Sequence, residues 1–145
     1  MASIVLDTSV VIAYRPATPP PNAYFSAVVL QELTAGAGSR SELKALERSR
    51  IAYERKGRLL VPTSEDWWLA GKVLFSLLHG LRSKAGQLPR LPAEEKQRII
   101  RDVLIARTVK RVGATLVTNN LKDFQRIQPF CAVRVCAGAD YFGQG

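Results

Sequence analysis

What most constrains the fold of this chain is the alternation of short unbroken apolar runs with segments of helical period. Ile4-Val5-Leu6 and Ala114-Thr115-Leu116-Val117 show no polar alternation, the pattern of strands covered on both faces rather than wet on one. Helical patterns bounded by capping residues and glycines lie between such runs. Strands alternating with helices pair in parallel through right-handed crossovers. The expected architecture is therefore an α/β fold, a three-layer α/β/α sandwich. Ligands of such sheets gather beyond the carboxyl ends of the strands.

The punctuation fixes the expected elements. Ser3–Leu6 reads as a buried strand ending on Asp7, and Val10–Ala13 as the start of a helical turn. Pro16, Pro19, Pro20 and Pro21 exclude regular structure from Arg15 to Asn22, because proline lacks the donor that helices and central strands require. Ala23–Ala27 reads as a short strand, and Val28–Ala35 as a helix stopped by Gly36 and Gly38. Ser39 is the expected N-cap of a helix to about Lys56, with Leu43, Leu46 and Ile51 as its apolar positions. Leu59–Pro62 reads as a strand. Thr63 or Ser64 then caps a helix to about Leu81, with Glu65 and Asp66 in its favourable first turn. A polar loop with Pro89 and Pro92 leads to the longest helix, Ala93–Val112, closed by Gly113. Ala114–Thr118, Leu121–Arg126 and Val133–Cys136 complete the series as strand, helix and strand, and the glycine-rich end is expected to fray.

Composition narrows the function. At 145 residues the chain makes one domain, 1–145, long enough for a continuous core. No apolar run approaches the ~20 residues of a membrane helix, and the start lacks the basic segment of a signal peptide; a cytoplasmic protein is expected. The net charge of +9 favours polyanionic partners, nucleic acid first among them. Cys131 and Cys136 fit no zinc spacing and read as reduced packing residues. His79 is the only histidine, which excludes a two-histidine acid–base nuclease and a two-histidine zinc site within one chain. It lies near a helix end, where a capping or surface role is expected.

The chemistry must then rest on carboxylates, hydroxyls or cations. Asp7 follows the first strand and Thr118-Asn119-Asn120-Leu121-Lys122-Asp123 follows the fourth, both at the edge where ligands bind. Glu32 lies among Val28, Val29, Leu30 and Leu33, and Asp102 precedes Val103-Leu104-Ile105-Ala106. A carboxylate near a buried helix face is costly unless a cation or donors compensate it. Converging acids raise each other's proton affinity or demand a divalent cation, and all-oxygen ligation favours Mg²⁺ or Mn²⁺. Each acid also has a structural reading: Asp7 as a strand-end cap with Thr8 and Ser9, Glu32 on a solvated face, Asp102 paired with Arg98 or Arg101, and Asp123 as a cap of the short helix.

The ordered set resembles the PIN-domain family, especially the VapC-type toxins of bacterial toxin–antitoxin pairs. The resembling pieces are Ile4–Ile12, Ser26–Leu33, Asp102–Ala106 and Gly113–Phe124, in the family's order across nearly the whole chain. The resemblance implies a mostly parallel five-stranded sheet ordered 3-2-1-4-5 and a ribonuclease yielding a 5′-phosphate and a 3′-hydroxyl. It implies that Asp7, Glu32, Asp102 and Asp123 are the catalytic acids, with Asp7, Asp102 and Asp123 on Mg²⁺ or Mn²⁺. Thr8, Ser9 and Thr118 match supporting polar positions. Asn120 stands where many relatives carry another acid, leaving open whether Asn120 or Asp123 faces the metal. The implied partners are an RNA substrate and a VapB-type antitoxin, and a homodimer is compatible with the likeness. The Glu32 segment follows the first acid across only the proline-rich loop, shorter than in many relatives.

Two stretches offer substrate grip: Arg40–Arg58, with seven Lys or Arg against three acids, and Arg82–Arg111, with nine against three. Trp67 and Trp68 are able to stack on unpaired bases, although core or interface packing is their commoner use. A haloacid-dehalogenase-like phosphatase wants an acid where Ser9 stands, and a receiver domain wants acids before Asp7, where none exists. A stand-alone RNA-processing nuclease and a non-cutting binding module remain the alternatives within the fold.

Overall fold

A computed structural model describes residues 2–16, 20–80, 86–87 and 90–143. Pro19, Leu81, Arg82, Lys84 and Pro89, named above in a loop, a helix end or a basic stretch, lie outside the described residues. The elements in chain order are β1 (Ile4–Leu6), α1 (Thr8–Tyr14), β2 (Ala23–Ser26), α2 (Ala27–Ala35), α3 (Arg40–Arg55) and β3 (Leu59–Leu60). There follow α4 (Ser64–Gly80), α5 (Ala93–Arg111), β4 (Thr115–Thr118), α6 (Leu121–Ile127), β5 (Arg134–Ala137) and α7 (Gly138–Phe142). The strands form one sheet ordered β3-β2-β1-β4-β5. Every pairing is parallel, as the unbroken apolar runs require. None of the described helices is long and apolar enough to cross a membrane.

Two cores flank the sheet. Val5 and Leu116 pair in register and point into the larger core, which α4, α5 and α6 close with Val73, Ile99, Leu104, Val109, Phe124 and Ile127. Ile4, Val10, Ala23 and Val117 form the smaller core on the other face, with Tyr141 and Phe142 of α7 against it. Alternate residues of each strand thus serve opposite layers, which makes the sandwich three-layered. Leu104, Ile105, Val103 and Ala106 are all almost fully buried, so α5 is the central helix that carries Asp102 against the sheet.

Local chemistry sets the helix starts. Ser26 Oγ accepts the Val28 and Val29 N–H groups at 3.2 and 3.4 Å, satisfying donors that have no partner within the helix. Ser39 Oγ accepts Glu42 N–H at 3.1 Å, and Glu42 returns a carboxylate to Gly38 N–H at 2.8 Å. Thr63 and Asp66 cap α4 reciprocally, Thr63 N–H to Asp66 at 2.9 Å and Asp66 N–H to Thr63 Oγ1 at 3.2 Å.

The structure corrects the sequence reading in three places. No residue of α3 is fully buried, and Leu43, expected on its apolar face, is 44% exposed. The helix lies over β2 and the two-residue edge strand β3, which offer little sheet to pack on; Tyr53 meets Phe25 edge-on at 5.3 Å. The chain does not lose structure directly after β5, because Gly138–Phe142 forms α7 and Phe142 stacks on Tyr14 at 4.5 Å; the last two residues lie outside the described ones. Five residues are too few for a periodicity signal. Trp67 and Trp68 are not core residues, being 56% and 71% exposed.

Candidate active site

The strand order reverses between β1 and β4, the crevice where open parallel sheets bind ligands. Leu6 pairs with Val117, and Asp7 N–H donates to the Val117 carbonyl at 2.9 Å. Asp7 and Thr118 therefore stand side by side at the carboxyl edge. One Asp7 oxygen accepts Thr8 N–H at 2.9 Å; the other accepts the Ser9 hydroxyl at 3.2 Å and the Thr118 hydroxyl at 2.7 Å. Thr118 Oγ1 in turn accepts Asn120 N–H at 2.9 Å, and Ser9 Oγ accepts Asn119 N–H at 3.2 Å. Three hydroxyl and amide links thus lock the turn after β1 to the turn after β4. The supporting roles expected of Ser9 and Thr118 have this geometric content.

All four expected acids line one pocket of about 330 Å³, together with Thr8, Ser9, Asn120, Arg98 and Arg101. Glu32 reaches it from α2, Asp102 from α5 and Asp123 from the first turn of α6. Asn120 and Asp123 both line it, and Asp123 is the one whose charge acts on Asp102 and Asp7. Among the described residues, no three acids are arranged as a ready-made metal cage. They surround the pocket without converging on one point.

Burial dominates the electrostatics of these acids. Burial pushes the Asp7 carboxyl above its usual range; hydrogen bonds from Thr118, Thr8 and Ser9 work against this and the Asp123 charge adds to it. Burial also raises Glu32, opposed by the Arg101 guanidinium and reinforced by Asp7. Asp102 is pushed up to about 8, by burial first, then by Asp123 and Asp7, with Arg126 pulling the other way and Glu32 adding a little. Asp102 Oδ2 is buried without a hydrogen-bond partner among the described residues, although buried polar atoms are nearly always paired.

Of the structural readings, one coexists with the functional one. Asp7 does cap α1 while lining the pocket. Asp102 forms no ion pair with Arg98 or Arg101, since Arg98 lies 3.8 Å from Glu95 and Arg101 lies 3.7 Å from Glu32. Asp123 is not the cap of α6; Asn120 holds that position without a side-chain capping bond. The sequence reading missed Arg126, which pairs with Glu95 at 2.6 Å, leaves Nε and Nη2 buried without partners and acts on Asp102. Its signal was its place three residues after Asp123, on the same helical face. Asp66 lies in the first turn of α4 as expected, and the structure adds that it is fully buried and held by Arg107 at 3.2 Å and by Arg111.

The strand order and the parallel crossovers are those of the PIN-domain fold seen in solved VapBC structures. Solved structures with this fold include DNA-bound VapBC from Salmonella typhimurium (21% identity, TM-score 0.56, covering 95% of this chain and 99% of that one). VapBC-1 from nontypeable Haemophilus influenzae is similar at 23% identity and TM-score 0.54, with 94% and 98% covered. FitAcB from Neisseria gonorrhoeae is similar at 18% identity and TM-score 0.52, with 93% and 97% covered. No protein-family model matches the sequence, and no curated protein matches it. At these identities the likeness is one of fold.

Proposed function

We propose that this chain is a divalent-metal-dependent endoribonuclease, acting as the toxin of a toxin–antitoxin pair. The observation that carries the reading is the gathering of Asp7, Glu32, Asp102 and Asp123 round one pocket at the sheet's switch point. Three of them have raised proton affinity, and the buried Asp102 Oδ2 lacks a partner. Such a donor set fits a hard cation: all ligands are oxygens, and a positive charge would relieve the burial and repulsion that raise these carboxyls. Asp7, Asp102 and Asp123 would hold Mg²⁺ or Mn²⁺. When bound, that cation supplies neutralisation of phosphate charge and acidification of the attacking water.

The chain's own residues then perform the remaining work. Thr118, Ser9 and the Thr8 amide fix the Asp7 carboxylate in orientation, since they saturate its inner lone pairs. Glu32, the half-buried member at the pocket rim, accepts the proton of the attacking water. The water oxygen bonds to phosphorus as the bond to the 3′-oxygen breaks, and that oxygen leaves as a hydroxyl on gaining a proton. Arg98 and Arg101 line the same pocket and attract the polyanionic substrate, as does the overall charge of +9.

Purified protein should cleave single-stranded RNA with Mg²⁺ or Mn²⁺ and stop in excess chelator, and Asp7→Asn should abolish cleavage. Undiminished cleavage in chelator would refute the metal mechanism. The VapBC and FitAcB assemblies among the structural neighbours support a protein partner. An antitoxin segment bearing Arg or Lys would pair with the same carboxylates and compete with the cation. Its inhibition should weaken as Mg²⁺ rises; inhibition indifferent to Mg²⁺ would place the partner elsewhere.

A further inference from the structure

A groove of about 850 Å³ runs between α2 and α5 to the start of α4, walled by Val28, Ile100, Leu104, Val61 and Trp67. It shares Glu32, Arg98 and Arg101 with the carboxylate pocket. The two are therefore one continuous depression: acidic at one end, apolar at the other, with two guanidinium groups at the join. Those guanidiniums are loosely held. Arg98 and Arg101 lie 3.8 and 3.7 Å from their carboxylate neighbours, with side chains 55% and 39% exposed, too far for hydrogen bonds. Glu94 lies on the same groove, and its charge favours contacts that are local to the two arginines rather than spread along the wall.

Trp67 is 56% exposed on an anchored stretch of backbone. Its neighbour Asp66 is fully buried, bound to Arg107 and Arg111 of α5 and capped against Thr63. The first turn of α4 is thus tied to α5 from inside, which anchors the backbone from which the Trp67 indole projects onto the groove wall. An exposed tryptophan held this way suits a flat ligand, which gains stacking energy without first having to order the backbone beneath it.

We propose that this groove is the subsite for unpaired nucleotides flanking the scissile phosphate, with Arg98 and Arg101 on backbone phosphates and Trp67 stacked on a base. The inference rests on the ribonuclease reading above and deepens it. Single-stranded RNA alternates anionic and flat apolar groups as this depression alternates guanidinium and apolar wall, whereas a duplex would keep its bases from Trp67. Guanidinium forks match phosphate oxygens bidentately. Trp68, 71% exposed but absent from the groove lining, is the internal control.

The test measures fluorescence anisotropy of an end-labelled oligouridylate of about eight nucleotides on full-length Asp7→Asn protein with Mg²⁺. Adding Trp67→Ala should weaken binding about 5- to 100-fold, Trp67→Phe should recover most of it, and Trp68→Ala should leave it unchanged. Arg98→Gln or Arg101→Gln should reduce the salt slope by about 0.7 each. Metal-dependent cleavage by wild type together with RNA affinity unmoved by Trp67→Ala overturns the subsite and leaves the nuclease reading intact. Sedimentation showing that Trp67→Ala dissociates a self-assembly, with RNA affinity unmoved, assigns the groove to a second copy and overturns it likewise. Wild type that neither binds nor cleaves RNA overturns the nuclease reading, and the subsite with it.

Discussion

Replacing Asp102 by asparagine tests whether its carboxyl is strained in the metal-free protein. Its proton affinity is pushed up to about 8 from an ordinary value of 3.8. The sign follows from linkage. Below pH 4 the group is protonated in both folded and unfolded chains and contributes nothing. As pH rises from about 4 to about 8 the unfolded chain releases the proton while the folded one retains it, so folding loses stability throughout that window. At about 1.4 kcal/mol per pH unit, the 3.8-to-7 interval amounts to a penalty on the order of 4 kcal/mol at pH 7. Asparagine, always neutral and nearly isosteric, escapes it. Urea denaturation in chelator should therefore show Asp102→Asn more stable than wild type at pH 7, by up to about 4 kcal/mol. The gain should shrink as pH falls and vanish near pH 4. Wild type should recover stability on adding Mg²⁺, by about 2.7 kcal/mol at a hundred times the dissociation constant, while the variant responds weakly. A pH-independent gain would refute the linkage argument. A loss of about 2–5 kcal/mol, the scale of a deleted core side chain, would make Asp102 a structural partner instead.

Three further outcomes are expected. Thr118→Val removes the hydroxyl that donates to Asp7 at 2.7 Å and accepts Asn120 N–H; cleavage should fall about 10- to 100-fold, and full activity would show that Asp7 needs no orientation from β4. Asp66→Ala should cost about 2–3 kcal/mol at pH 7 in urea unfolding. Burial raises this carboxyl, but the hydrogen bonds from Arg111, Thr63 N–H and Arg107 outweigh it and hold it below the ordinary 3.8. The Asp66 contribution is therefore present above that value and lost as pH falls through the lower folded one; an equal cost at pH 2 would contradict it. Gly138→Ala would drive a Cβ into the Asn119 side chain and within 2.9 Å of the Tyr14 ring. It should lower stability by about 1–3 kcal/mol and reduce cleavage by shifting the turn after β4, and an unchanged melting temperature would show that the turn yields freely.

The parts of the site legible in the sequence are those tied to strand ends. Asp7 and Thr118 follow apolar runs, and in a parallel sheet the residue after a central strand must emerge at the carboxyl edge. Glu32 and Asp102 were legible because each interrupts an apolar helical stretch and needs an explanation. Arg126 was signalled only by its place three residues after Asp123 on the same helix, a spacing that does not tell an arginine facing solvent from one acting on buried carboxylates. Helix α7 was not legible, for its five residues owe their helix to the space Gly138 leaves beside Asn119 and to the stack of Phe142 on Tyr14. Both depend on residues more than a hundred positions away or on a neighbouring helix, and sequence period carries no such information.

Asp66 and Asp102 show where the reading of buried acids divides. Both sit on helices, both are nearly inaccessible, and in the sequence Asp66 looked the more ordinary, a first-turn acid favoured by the helix dipole. The structure sends them in opposite directions. Asp66 meets two guanidiniums from α5 and an amide from its own cap, so its charge is compensated by the chain and its proton affinity falls. Asp102, on that same α5, meets three other acids and keeps an oxygen without a partner, so its proton affinity rises. One helix thus supplies the cations that satisfy a structural aspartate and an aspartate whose Oδ2 has no partner among the described residues. Evenly spread charge along α5 would have left both sites neutralised. The charges of α5 are segregated, with Arg107 and Arg111 toward α4 and Asp102 toward the sheet's switch point. Under the proposed function a divalent cation and a partner's guanidinium would compete for these carboxylates, because each would offset the same burial and repulsion.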